Sequence, residues 1–135
     1  MRYGTALAIA LALASPLAGC VDTETREVAG RDLYLRHCAS CHGPEGRGDG
    51  PVAASLKKPP ADLTRIAARA GRFDEAAVMA MIDGRRLVAE HGPRDMPVWG
   101  VVFEQQQEGQ PFQVYAGLRE TRALSDYLRS IQVKQ

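Results

Sequence analysis

The sequence predicts an all-α domain, and three observations carry that prediction. The stretch from Leu118 to Val133 is amphipathic, with Leu124, Tyr127, Leu128 and Ile131 recurring at three- and four-residue spacing. A second helical pattern runs from Ala29 to Ser40, where Leu33 and Tyr34 share a face with His37 and Cys38. No series of alternating apolar and polar residues marks a set of strands.

The elements follow in chain order. Gly30 falls in the first turn of the Ala29–Ser40 helix, where glycine lowers helix propensity; its position there suits the close approach of another helix. That helix stops near Gly43-Pro44. From Gly43 to Pro60 glycine and proline are dense (Gly46, Gly48, Gly50, Pro51, Pro59), which means loop. Within it, Gly46-Arg47-Gly48-Asp49-Gly50 has no preceding strand and no Lys-Ser/Thr ending, so it is not a P-loop. Asp62-Leu63-Thr64 to Ala70 reads as a short helix ending at Gly71. Asp74 is the N-cap of a helix through Ile82, with Val78, Met81 and Ile82 as its apolar stripe and Gly84 as its stop. A loop follows from Arg85 through Gly92 to Pro93-Arg94-Asp95-Met96-Pro97-Val98-Trp99-Gly100. Glu104 to Gln110 is Gln-rich, a solvated loop or a short exposed helix.

The chemistry is concentrated in Cys38-Ala39-Ser40-Cys41-His42. C-x-x-C-H is the attachment signature for c-type haem. Two thiols at that spacing add to the two vinyl groups of a haem, and the histidine that follows lies under the iron as an axial ligand. The competing chemistries fit less well. A structural zinc site needs four ligands, usually in two separated pairs, and the remaining Cys20 has another assignment. A thioredoxin-like pair wants a βαβ pattern that is lacking here.

The N-terminus places the motif outside the cytoplasm. Arg2, the apolar run from Thr5 to Leu13 and the closing Leu17-Ala18-Gly19-Cys20 have the order of a secretory signal peptide. The run is too short for an ordinary membrane-spanning helix. Leu-Ala-Gly-Cys resembles the bacterial lipobox, in which the cysteine is acylated and becomes the mature N-terminus. The expected organisation is therefore a signal peptide over 1–19, a lipidated flexible tether over 20–28 and a folded domain over 29–135. The tether assignment rests on a mostly charged and polar stretch, Asp22 to Glu27. Of the three cysteines, one is then a lipid site and two are haem sites, leaving none for a disulfide.

Lys and Arg number 17 against 16 Asp and Glu, and removal of Arg2 with the leader balances them. Such a chain is not built for nucleic acid.

Together, the haem motif, the Gly-Asp-Gly-Pro run, Pro-Pro-Ala-Asp-Leu-Thr and Met-Pro-Val-Trp-Gly resemble a class I c-type cytochrome of the short bacterial monohaem kind, in a lipoprotein form. The resemblance covers nearly all the chain from Ala29 onward. It implies a small cytochrome c fold, four to five helices wrapped around one covalently attached haem c, with the first and last helices crossing. Here that contact would set Gly30 and Tyr34 against Leu124 and Tyr127. The long stretch from Glu104 to Gly117 departs from the commonest pattern.

The resemblance also assigns ligands. His42 is one iron ligand and Met96, in a loop between Asp95 and Pro97, is the other. Met79 and Met81 sit in a helical pattern and are expected in the core; His91 is the alternative donor. A proline carbonyl after the motif, matched by Pro51, would receive the free N–H of His42. Arg85 and Arg86 either pair with haem propionates or form a solvated cationic loop. Trp99 either lines the haem pocket or is an ordinary core aromatic.

The expected function is electron transfer without a small-molecule substrate. The partners are a redox protein donor and acceptor, and the membrane through the lipid anchor. Location would be the periplasmic face of a bacterial membrane, in a respiratory or dehydrogenase-linked chain. The alternatives are a fixed haem subunit of a larger membrane oxidoreductase, structural or electron-accepting, and an enzyme or gas sensor with an open iron site.

Overall fold

The computed structural model describes residues 23–85 and 96–134. Cys20, Arg86, His91 and Asp95 lie outside the described residues, as do the signal peptide and the start of the tether. Among the described residues there are six α-helices and no strand: α1 (Thr23–His37), α2 (Ala39–His42), α3 (Ile66–Ala70), α4 (Glu75–Asp83), α5 (Trp99–Gln106) and α6 (Ala116–Ser130). The all-α prediction holds.

The first and last long helices cross at a glycine. Gly30, Leu33 and Tyr34 are the buried residues of α1, one stripe at i, i+3 and i+4 spacing. A Cβ at Gly30 would lie 2.0 Å from the carbonyl oxygen of Ala123 and 3.0 Å from the Tyr127 Cβ, so only glycine lets the backbones approach this closely. The Tyr34 and Tyr127 rings meet at 5.2 Å, tilted by 49°. Leu124 and Tyr127 both belong to the buried face of α6. The crossing implied by the family resemblance is thus present with the expected residues. Tyr34, Phe103 and Leu124 are almost wholly enclosed, each worth roughly 1.5–3 kcal/mol relative to exposure.

The stretch expected to be a flexible tether is partly helical instead. Helix α1 spans from Thr23 rather than from Ala29. Arg26 donates from Nε to Asp126 Oδ2 at 2.9 Å, and the Asp126 side chain is only 2% exposed. The polar residues read as tether therefore supply a partner for a carboxylate buried on α6, which composition alone does not reveal.

Local chemistry sets the shorter helices as expected. The Asp62 carboxylate accepts from the Thr64 backbone N–H at 2.9 Å, and Gly71 closes α3 in the left-handed region. Asp74 accepts from Ala77 N–H at 3.1 Å, and Gly84, also left-handed, ends α4. Glu75 then ties the start of α4 to α6 through Arg122 at 2.8 Å and through Arg129. One expectation fails here. Met81 is not core; it is 56% exposed, while Val78 and Ile82 carry the buried stripe. Glu104–Gln106, read as solvated loop or short exposed helix, is the largely exposed end of α5, whose Phe103 is buried against α6. Beyond it, a 3-10 turn over Gln113–Tyr115 leads directly into α6.

Candidate haem attachment site

The attachment motif forms one helical turn. Cys41 N–H and His42 N–H both donate to the Cys38 carbonyl, at 3.2 and 2.9 Å. This turn puts Cys38 and Cys41 three residues apart on one face, with His42 next to Cys41. Both thiols are free and half-buried. Burial, reinforced by the neighbouring Cys41, pushes the Cys38 thiol up to about 12. Among the described residues no three His, Cys, Asp or Glu side chains converge as metal ligands do.

Close-packed backbone encloses the motif. Tyr34, wholly buried, donates its hydroxyl to the Gly43 carbonyl at 2.6 Å. Burial raises its pKa well above the ordinary phenol range. Gly48 N–H returns to the His42 carbonyl at 2.8 Å, and Gly50 N–H to that of Cys41 at 3.1 Å. A Cβ at Gly50 would lie 2.4 Å from the Ser40 carbonyl oxygen, so the loop must be glycine at this point. The glycine density read as loop is the wrapping of the attachment turn.

His42 is oriented by a carbonyl, but not the expected one. Its Nδ1–H donates to the Ala61 carbonyl oxygen at 2.9 Å, whereas Pro51 is exposed in the turn after Gly50. Pro51 is therefore corrected to Ala61. The signal was present in Pro-Pro-Ala-Asp-Leu-Thr, but a carbonyl acceptor is a matter of backbone path, and no side chain advertises it. With Nδ1 engaged, Nε2 is the nitrogen left for a metal, the arrangement common to metal-binding histidines. Two thiols on one turn and an imidazole held by a carbonyl fit a covalently attached haem.

The remaining candidates are placed as follows. Met96 is half-buried in a bend shortly before α5. Trp99 opens α5 and packs partly buried against the core, stacked on Phe103 at 5.8 Å and 5.3 Å from the His37 ring. It thus belongs to an aromatic cluster beside the residue that precedes Cys38. Arg85 is tied to carboxylates of the chain itself, to Asp83 at 2.6 Å and to Glu104 at 2.8 Å. The Arg85 guanidinium holds the Asp83 carboxyl below the usual carboxylate range. These contacts make Arg85 a brace between the end of α4 and α5, a role that neither reading of Arg85 included.

Fold and site together define a c-type cytochrome domain carrying covalently bound haem c, the class that exchanges electrons with redox partners. A comparison with protein families matches residues 26–109 to the family described as cytochrome c oxidase, cbb3-type, subunit III, and the chain belongs to that family. The match includes the attachment turn, Ala61 and Met96, and ends before α6. No curated protein and no solved structure matches the chain significantly.

Proposed function

We propose that the chain is an exported, lipid-anchored carrier of single electrons whose haem iron is held between His42 and Met96. The observation that carries this reading is the His42 Nδ1–H bond to Ala61 beside two free thiols on one helical turn. The haem, when bound, supplies the ferric–ferrous couple. Cys38 and Cys41 would hold it by thioether bonds, and His42 would face the iron through Nε2. The Met96 thioether, a soft and weakly basic donor, would favour the ferrous state and raise the potential.

In this reading residues 1–19 are removed and Cys20 is acylated, tethering the domain to the periplasmic face of a bacterial membrane. Donor and acceptor are redox proteins that dock transiently. A second arrangement, a fixed haem subunit of a membrane oxidoreductase, is favoured by the family description as an oxidase subunit. Purification of the native protein in mild detergent separates the two: a carrier elutes alone, a subunit with its complex.

The ligand assignment is tested by the weak near-infrared charge-transfer band of ferric haem bound to a thioether. The band should be present in the wild type and absent in Met96→Ala, and it should survive Met79→Leu and Met81→Leu. A band that persists in Met96→Ala refutes the assignment of Met96.

A further inference from the structure

The carbonyl that orients His42 lies in a segment without regular structure, between Pro60 and the 3-10 turn Leu63–Arg65. Something must hold that segment still, and the contacts identify it. The Gln132 side-chain Oε1 accepts from Ala67 N–H at 2.9 Å. Its Nε2 donates to the Leu63 carbonyl at 2.8 Å and to the Leu128 carbonyl at 2.6 Å. One amide thus uses both donors and its acceptor to bridge the end of α6 and the start of α3. Val133 N–H adds a bond to the Thr64 carbonyl at 2.9 Å. From the other side, Leu63 N–H donates to the Gly46 carbonyl at 2.6 Å. Gly48 packs so tightly that a Cβ would lie 2.5 Å from the Pro60 carbonyl oxygen.

We infer that Gln132 is a positioning residue for electron transfer: by bracing residues 63–67 against the end of α6, it holds the Ala61 carbonyl on His42 Nδ1. This inference rests on the reading of His42 as the iron ligand. A carbonyl on the remote nitrogen makes an imidazole a more basic ligand and fixes its orientation. A more basic ligand favours the ferric state. When the brace is removed, the Ala61 carbonyl loosens, the His42 N–H opens to water more often, and the ferric state loses part of its preference.

The test uses the full haem-loaded protein and two readouts: solvent exchange of the His42 ring N–H by NMR in the ferrous state, and the midpoint potential. Gln132→Met keeps the chain length and removes all three hydrogen bonds. It should speed ring N–H exchange by roughly tenfold or more, the factor opened by losing about one net hydrogen bond, and raise the potential. Gln132→Glu keeps an acceptor for Ala67 and loses both donors, and should shift both readouts in the same direction. Ser130→Ala removes the bond from Ser130 Oγ to the Tyr127 carbonyl, at the same end of α6, and should move neither. If both Gln132 variants leave exchange and potential as in wild type while lowering thermal stability, Gln132 is only structural and the inference is overturned. If the wild-type His42 ring lacks the large upfield shifts of an iron-bound imidazole, the ligand assignment itself fails, and the inference with it.

Discussion

Replacing Gly30 with alanine should break the contact on which the fold closes. The added Cβ would stand 2.0 Å from the Ala123 carbonyl oxygen, 2.6 Å from its carbon and 3.0 Å from the Tyr127 Cβ. Two of these three atoms are backbone, so no side-chain rotation relieves the clash, and α1 must move off α6 by more than about 1 Å to restore ordinary contact. Overpacking of this kind costs about 1–3 kcal/mol, and a backbone obstacle puts it near the upper end. Alanine recovers about 1 kcal/mol of helix propensity over glycine. The expected net loss is about 2 kcal/mol, a fall of roughly 8–12 °C in Tm for a domain of this size. Thermal unfolding of the haem-loaded protein, followed by far-ultraviolet circular dichroism, measures it. A Tm equal to or above that of the wild type would refute the close-approach explanation of Gly30.

Two further predictions follow from the charged and aromatic contacts. Arg26→Ala should cost about 1–2 kcal/mol in urea unfolding, because the enclosed Asp126 carboxylate loses a charge-assisted bond and keeps, among the described residues, the more distant Arg122 at 3.6 Å; an unchanged midpoint would mean that residues 23–28 are tether after all. His37 should titrate below its ordinary 6.5, since burial first and Arg36 second disfavour its charged form. Its folded pKa is depressed, so the stability it contributes is fully present above pH 6.5 and is lost as pH falls through the lower folded value; a ring titrating at or above 6.5 by NMR contradicts this.

What could be read from the sequence was mostly local. Asp74 and Gly84 bound α4 because capping and left-handed glycine act within a few residues. The α6 period is visible because one face of a long helix is buried throughout. Gly30 stood out because it is costly in a helix unless another backbone needs the space. The misreadings share a different cause. The partner of Arg26 is a hundred residues away on α6, and Arg85 finds Glu104 nineteen residues further along the chain; which carboxylate meets which guanidinium depends on the tertiary arrangement. Helix α5 has Gly100, Val101 and Val102 in its first half, all modest helix formers, and is held by burying Phe103 against α6. In the attachment site the donors were legible as residue types at fixed spacing. The carbonyl of Ala61 was not, because backbone acceptors look alike at every position.

The central claim is that this protein passes electrons through an iron whose ligands both stay in place. Exposing the reduced wild-type protein to carbon monoxide at neutral pH tests it most directly. The proposal predicts an unchanged visible spectrum, with Met96→Ala alone forming the carbon monoxide adduct. Ready adduct formation by the wild type would contradict it and point to an open-site haem enzyme or sensor.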